Sequence, residues 1–246
     1  MKTLYVTVNH NMRESTASLY KSLKPYERDD YDLHVIDNGS SPEEVSEFAT
    51  IKLDQTVYYG GAISCAVQLA LDNRDKYDSL LFSVNTISLF GYNFVKSMRD
   101  YMFSNDNIGL VSPSVIAAGR VQNAWRHMHN WCSPEPRQVR WIDFQAPLIR
   151  TDLLSKIGDY PDFGIAYGYD LYTSIRAEEL GYTAYVLDYV NVIHQQKETV
   201  KSGKAPFDQQ AFGALALDGM WKGLQSVKLI DYANELRSWS NNYTPS

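Results

Sequence analysis

The chain has 246 residues, 44% hydrophobic and 13% aromatic, which is enough apolar material for a sizeable core in one α/β domain. Its formal net charge of −6 gives no overall attraction to nucleic-acid phosphates or anionic lipid, so nucleic acid is not the expected partner, although a modified base is still allowed as a substrate. Cys65 and Cys132 are too few for a disulfide framework, and without an apolar run of about 18 residues to span a membrane we expect a cytoplasmic protein.

The first half of the chain alternates β-rich runs with helical patterns. Leu4–Val8 predicts a strand and is too short for the apolar region of a signal peptide, while Ser15–Leu23 carries apolar residues at helical spacing. Strand, helix and strand within about forty residues are typical of a parallel β-α-β unit, so residues 1–112 are predicted to be doubly wound α/β. The same alternation predicts strands at Asp32–Ile36, Thr56–Tyr59, Ser79–Phe82 and Ile108–Val111, and helices at Ala62–Leu71 and Gly91–Met102.

The second half, residues 113–205, does not continue the regular alternation of strand and helix patterns. The polar and aromatic stretch Gln122–Trp131 predicts a curved hairpin that faces a ligand. Of Trp125, Trp131 and Trp141, at least two are expected to pack in the core, and one is expected to line a ligand pocket with Gln145. Beyond it we predict helices at Thr151–Gly158 and Asp170–Leu180, and strands at Tyr182–Val186 and Val190–Ile193.

Residues 206–246 are predicted to be a mostly amphipathic helical extension of the same domain. This extension covers the core or forms a subunit interface, so a homo-oligomer is one expectation. The whole pattern predicts an α/β class fold, a Rossmann-like mixed sheet with helices on both faces plus a C-terminal helical segment.

Several motifs occur in a defined order and together carry a family resemblance. The early ones are Thr7-Val8-Asn9, Val35–Ser41 and the glycine-rich Gly60–Ala66. The late ones are Gly168–Arg176, Gly181-Tyr182 and Val192–His194. Over roughly residues 3–197 this ordered set resembles the family-2 glycosyltransferases, which are inverting enzymes of the GT-A (nucleotide-diphospho-sugar transferase) fold.

The resemblance implies a reaction and a set of site residues. The reaction is transfer of a hexosyl or pentosyl group from a nucleotide-diphosphate sugar, with a UDP-sugar expected, to an acceptor hydroxyl with inversion. Asp170 corresponds to the general base. The donor would contact Thr7, Val8, Asn9, Asp37, Gly60, Gly61, Asn85, Thr86 and His194, and the acceptor would contact Trp125, Gln145, Gly168 and Tyr169.

Local chemistry alone offers a structural role for several of these residues. Asp37 precedes Asn38-Gly39 and can cap a turn through its side chain. Gly60-Gly61 can serve a plain turn as well as a phosphate site at a helix N-terminus. Asp170 can cap the helix that it opens, and a single histidine such as His194 is often structural.

The metal motif departs from the family pattern. Val84-Asn85-Thr86 stands where the family has Asn-Pro-Asp or Asp-x-Asp, and Tyr169 replaces the Glu that precedes the base. Two accounts stay open: a metal-independent enzyme in which cations neutralise the diphosphate, or weakly held Mg²⁺ or Mn²⁺ with Asn85 and His194 near it. The candidate cations are Arg120, Arg126 and Lys197, acting with His194.

The sequence allows two further interpretations. A zinc site at His127, His129 and Cys132 is disfavoured because a four-ligand structural site lacks an obvious partner pair. The loss of metal carboxylates also allows a catalytically silent module that binds a nucleotide or a glycan. Retention of Asp170 favours the enzyme over that module.

Overall fold

Nine strands form one mixed sheet in the computed structural model, which describes residues 1–27, 30–90, 93–116, 125–194 and 209–245. Their order across the sheet is β3-β2-β1-β4-β8-β6-β9-β5, and β7 pairs with β9. The strands are β1 (Lys2–Asn9), β2 (Tyr31–Asn38), β3 (Ile51–Leu53), β4 (Tyr77–Val84), β5 (Ile87–Phe90), β6 (Ile108–Ile116), β7 (Arg137–Val139), β8 (Leu148–Arg150) and β9 (Thr183–His194).

Parallel pairing gathers the ends of several strands at one edge of the sheet. β1 is parallel to both β2 and β4, β2 is parallel to β3, and β6 is parallel to β9. β8 runs antiparallel to β4 and β6, so β6 and β9 run in the same direction as β1. Asn9, Asn38, Val84 and His194 therefore lie at the carboxyl edge, where ligands bind in open α/β sheets.

Helices cover this sheet through apolar faces at helical spacing. In α1 the buried residues are Thr16, Leu19 and Leu23, which recur at intervals of three and four. The central strand β1 contributes fully buried Leu4 and Tyr5 to the core. The helices are α1 (Arg13–Leu23), α2 (Tyr58–Asp72), α3 (Phe94–Met102), α4 (Thr151–Ile157), α5 (Tyr169–Glu179), α6 (Gln209–Ser226) and α7 (Ile230–Asn241).

This architecture confirms the predicted mixed α/β class, and the C-terminal helices are part of it. Met220 and Leu224 of α6 and Leu236 of α7 belong to the same buried cluster as the sheet. None of the helices within the described ranges is both long and apolar enough to cross a membrane. The proposed division into domains and a homo-oligomer through the C-terminal helices stay predictions.

The third predicted strand was wrong. Ile51–Leu53 is the strand, and Thr56–Tyr59 instead leads into α2, which begins at Tyr58. The Asn38 side chain holds this segment: its Oδ1 accepts from the Val57 amide at 2.8 Å and its Nδ2 donates to the Tyr58 carbonyl at 3.0 Å. β-branched and aromatic composition cannot reveal such a tertiary contact.

Two other local predictions need correction. The strands expected at Tyr182–Val186 and Val190–Ile193 are one strand, β9, whose register against β6 shifts between Leu187 and Asn191. The extra residues of this bulge include Asp188, which turns into the interior. The hairpin predicted at Gln122–Trp131 falls partly outside the described residues, and its described part is a short 3-10 helix after which His129 bridges to Val115 in parallel.

Candidate active site

A cavity of about 900 Å³ opens between the segment that follows β6 and the two C-terminal helices. A cavity of that size suits a small-molecule substrate. Its lining combines two carboxylates with aromatic, apolar and cationic side chains. The residues that line it are Trp125, Arg126, His129, Asn130, Trp131, Trp141, Asp143, Tyr167, Asp170, Leu171, Gly213, Leu217, Met220, Arg237 and Asn241.

Asp170 reaches this cavity from the first turn of α5. The preceding Gly168 caps the helix with a φ of +110°, and a Cβ there would lie 2.7 Å from the Phe163 ring. The Leu171 amide donates to Asp170 Oδ1 at 2.8 Å. Burial, and next the charge of Asp143, raise the pKa of Asp170 to about 7. Near neutral pH this carboxylate can therefore both hold and release a proton.

Asp143 is the second carboxylate of the cavity, and sequence reasoning did not identify it. Gln145 Nε2 donates to Asp143 Oδ2 at 2.9 Å. Gln145 itself is 5% exposed, and burial raises the pKa of Asp143. The predicted acceptor residue Gln145 thus lies behind the cavity wall and orients Asp143. The signal in the sequence was an acid within the otherwise apolar run Trp141–Phe144.

Three tryptophans line the cavity, and they differ in how far they are buried. Stacking of one of them on a ligand stays a prediction. Trp141 is fully buried and packs edge-on against Trp125, with ring centroids 5.1 Å apart. Trp125 and Trp131 are half-buried and carry guanidinium groups over their rings, Arg237 at 5.5 Å and Arg126 at 5.6 Å. Trp141 therefore belongs to the core behind the cavity surface, whereas Trp125 and Trp131 keep part of their surface exposed at the cavity.

A buried ion pair anchors the wall segment of residues 125–133. Arg137 Nη2 donates to Asp188 Oδ1 at 2.7 Å, and the two side chains are 5% and 0% exposed. Asp188 Oδ2 also accepts the amides of Trp131 and Ser133 at 2.9 Å each. The other Arg137 donors reach the carbonyls of His127 and His129 and the Tyr243 hydroxyl. The pair therefore ties the wall of the cavity to the bulge of β9 and to the chain end beyond α7.

The predicted donor residues of β1 and β2 form a buried polar network. Asn9 Nδ2 donates to Asp37 Oδ2 at 2.7 Å, and Thr16 Oγ1 donates to Asn9 Oδ1 at 2.8 Å. Asp37 is 2% exposed and accepts the amides of Ser40 and Ser46 as well. The turn-capping role of Asp37 is thus present, and its contact with the donor stays a prediction. Thr7 is buried with its hydroxyl on the Ser83 carbonyl, and Val8 is half-buried beside it.

Gly60 and Gly61 lie in the first turn of α2 and permit close packing. The Gly60 amide donates to the Ile165 carbonyl at 3.2 Å. A Cβ on Gly60 would lie 2.7 Å from the ring of Tyr169, and one on Gly61 would lie 2.6 Å from Val57 Cβ. Tyr169 is buried in this contact, so Gly168 and Tyr169 position Asp170 and lie outside the cavity lining.

Gly60→Ala is expected to lower the free energy of unfolding by about 1–3 kcal/mol, because the new methyl group overpacks against Tyr169. Chemical denaturation measures this loss. Gly213→Ala is the matched control, since outside the backbone of its own helix no atom of the described residues lies within 4 Å of its Cβ position on α6, and there the change should stabilise by up to about 1 kcal/mol. Equal effects of the two substitutions would contradict the close-packing role of Gly60.

His194 and Asn85, the candidate metal ligands, lie near each other at the carboxyl edge. Ile87, two residues after Asn85, pairs with His194 across β5 and β9, and Thr86 lies in the intervening turn. Burial lowers the pKa of His194 to about 4, so its imidazole is neutral, and its Nδ1 finds no hydrogen-bond partner among the described residues. Asn85 Nδ2 donates to Thr16 Oγ1 at 2.8 Å.

This donor set does not suit a hard divalent cation, which prefers several oxygen ligands. Within the described ranges, no group of three or more His, Cys, Asp or Glu side chains could hold a metal. We therefore assign no step of the reaction to a metal ion. Arg126 lines the cavity, whereas Arg120 and Lys197, the other candidate cations, lie outside the described residues.

The residues of the disfavoured zinc site include His127, which packs in an aromatic cluster. His127 is fully buried between Trp141 and Trp239, and its Nδ1 lies 2.6 Å from Ser240 Oγ. Burial lowers the pKa of His127 to about 3. Cys132 is exposed and unpaired. Through these contacts His127 holds α7 against the cavity wall.

No protein-family model matches this sequence, and no curated protein is detectably similar to it. Solved structures do resemble the fold. GalNAc-T7, solved with UDP, GalNAc and Mn²⁺, is 14% identical over 79% of this chain, with a TM-score of 0.62, and this chain spans only 44% of its length. The mannosyltransferase PcManGT from Pyrobaculum calidifontis, solved with GDP-Man and Mn²⁺, is 12% identical, covers 98% of this chain and 72% of its own, and has a TM-score of 0.60.

S. aureus TarS in complex with UDP-GlcNAc is 14% identical, with coverage of 82% of this chain and 61% of its own and a TM-score of 0.60. These likenesses confirm that the chain has a GT-A-like, nucleotide-sugar transferase fold. At such low identity they establish the fold and leave the activity to the chemistry of the site.

Proposed function

We propose that the chain is a glycosyltransferase that moves a sugar from a nucleotide-diphosphate donor, a UDP-sugar, to an acceptor hydroxyl with inversion. The observation that carries this proposal is Asp170: in a GT-A fold, a carboxylate with its pKa raised to about 7 lines a cavity of substrate size. GDP-Man and UDP-GlcNAc, the nucleotide sugars bound in two of the structural neighbours, support the donor class.

The chemistry requires one base on the acceptor side. The acceptor hydroxyl oxygen forms a bond to the anomeric carbon while a carboxylate oxygen of Asp170 takes its proton. The bond between that carbon and the diphosphate oxygen breaks, and the nucleoside diphosphate leaves with the electron pair. A base whose pKa lies near the working pH is suited to this transfer.

The leaving diphosphate gains negative charge as the reaction proceeds. Arg126 is exposed at the cavity and no ion pair of the described residues includes it, so its guanidinium can meet that charge.

The donor would lie over the carboxyl edge near Asn9, Asp37 and Gly60. The helices α6 and α7 would complete the acceptor side, because Leu217, Met220 and Arg237 line the cavity. Unpaired Cys65 and Cys132 support a cytoplasmic setting.

A second candidate function is a module that binds a nucleotide or a glycan without turnover. The observation that favours it is the absence of a carboxylate from Val84-Asn85-Thr86 at the donor edge. The raised pKa of Asp170 favours the enzyme, because a binding module has no need of a proton acceptor in its cavity.

A thermal-shift screen of UDP- and GDP-sugars, each with and without Mn²⁺, tests the donor class. A donor at 100 times its dissociation constant should stabilise the fold by about 2.7 kcal/mol. The stabilising donor is then incubated with the protein and candidate hydroxyl acceptors, and release of nucleoside diphosphate is followed. Binding without release across these acceptors would favour the module, and no stabilisation by any nucleotide sugar would contradict the proposal.

A further inference from the structure

We propose that Asp143 is a positioning residue for the transfer, a second carboxylate in the acceptor cavity that makes Asp170 a stronger acceptor of the hydroxyl proton. This inference rests on the proposed function. It concerns a residue that lies outside the motifs shared with the glycosyltransferases.

The two carboxylates enter one cavity from different parts of the fold. Asp143 comes from the segment between β7 and β8, and Asp170 comes from the first turn of α5. Gln145 Nε2 fixes Asp143, and the Leu171 amide fixes Asp170. No ion pair of the described residues includes either carboxylate. Two half-buried acids that line one cavity, each held by a hydrogen bond and neither paired with a cation of the described residues, repel each other when both are ionised.

The groups around the pair do not cancel this repulsion. From α2, the Tyr59 hydroxyl donates to the Phe144 carbonyl, so it does not neutralise either acid. Tyr167 lines the cavity and is uncharged, because burial and then the two acids raise its pKa above the ordinary value. The remaining titratable or charged groups of the lining are the cations Arg126 and Arg237, which lie over tryptophan rings, and the imidazole of His129.

The repulsion has a direct chemical consequence for the base. One negative charge at Asp143 favours the protonated form of Asp170, and so raises its pKa beyond what burial alone does. A carboxylate with a higher pKa removes the hydroxyl proton more readily, provided that the working pH keeps part of it ionised. Because the two acids interact, they titrate as a pair.

Asp143→Asn tests the role, because it removes the charge and keeps the shape. In the full-length protein we expect carbon-13 NMR of the carboxyl carbons to show the pKa of Asp170 lower by about one unit or more. The acid limb of the pH–rate profile for transfer should move to lower pH by the same amount, and turnover on the high-pH plateau should fall several-fold. The KM for the donor should stay the same.

Two variants serve as controls. Asp143→Glu keeps the charge and should restore the acid limb to its position in the parent protein. Asp218→Asn removes an exposed charge of α6 that is paired with Lys222 at 2.6 Å, and it should change neither titration nor profile.

An unchanged titration of Asp170 in Asp143→Asn would overturn the proposal. A lower pKa without a matching shift of the rate profile would overturn the role in transfer. If the parent protein consumes no donor at all, the proposed function fails, and the NMR titration still decides whether Asp143 acts on Asp170.

Discussion

Replacing Asp170 by asparagine is expected to slow sugar transfer by about 10²- to 10⁴-fold, which is the usual contribution of a general base. The amide keeps the shape of the side chain but cannot take the hydroxyl proton. Because the reaction needs the ionised form and the pKa of Asp170 is about 7, turnover of the parent protein should rise with pH through this value. Release of nucleoside diphosphate under saturating donor measures both effects.

A matched variant separates the helix-capping role of Asp170 from its catalytic role. Asp231 is an exposed acid at the second position of α7, just as Asp170 is at the second position of α5. Asp231→Asn removes the same favourable interaction with the helix dipole, worth about 0.3–1 kcal/mol of stability, and should leave turnover unchanged. Turnover of Asp170→Asn within about threefold of the parent protein would contradict its assignment as the base.

The buried ion pair predicts the largest effect on stability. Asp188→Asn should lower the free energy of unfolding by about 3–5 kcal/mol, because it leaves the Arg137 guanidinium buried without its counter-charge. The substitution also weakens the hydrogen bonds that this side chain accepts from the Trp131 and Ser133 amides, so the wall of the cavity should loosen. Denaturant unfolding gives the free energy, and hydrogen exchange of those two amides reports the wall.

An exposed ion pair provides the comparison for Asp188. Arg140 donates to Glu235 of α7 at 2.6 Å, with side chains 30% and 60% exposed. Glu235→Ala should therefore cost no more than about 1 kcal/mol. A loss below 1 kcal/mol for Asp188→Asn would show that the cavity wall does not depend on the buried pair.

The helices and strands could be predicted from the sequence more fully than the residues of the candidate site. Strong periodicity predicted α1, β1 and β4 near their observed positions, since their apolar residues face one core. The segment Thr56–Tyr59 was misassigned because its fate depends on Asn38, which is distant in sequence. Asp170 was predicted from a motif, whereas Asp143 was missed because no motif contains it and only the fold brings it to the same cavity.

What the sequence by itself determined is the class of fold, the order of its early elements and the candidate base at the start of α5, because these depend on short-range periodicity and an ordered set of motifs. Only the tertiary structure decided what surrounds that base. Tertiary packing brings Asp143 and the C-terminal helices to one cavity, and it raises the pKa of Asp170 through burial and a neighbouring charge. Burial and charge proximity are distances in space, and separation along a sequence does not specify them.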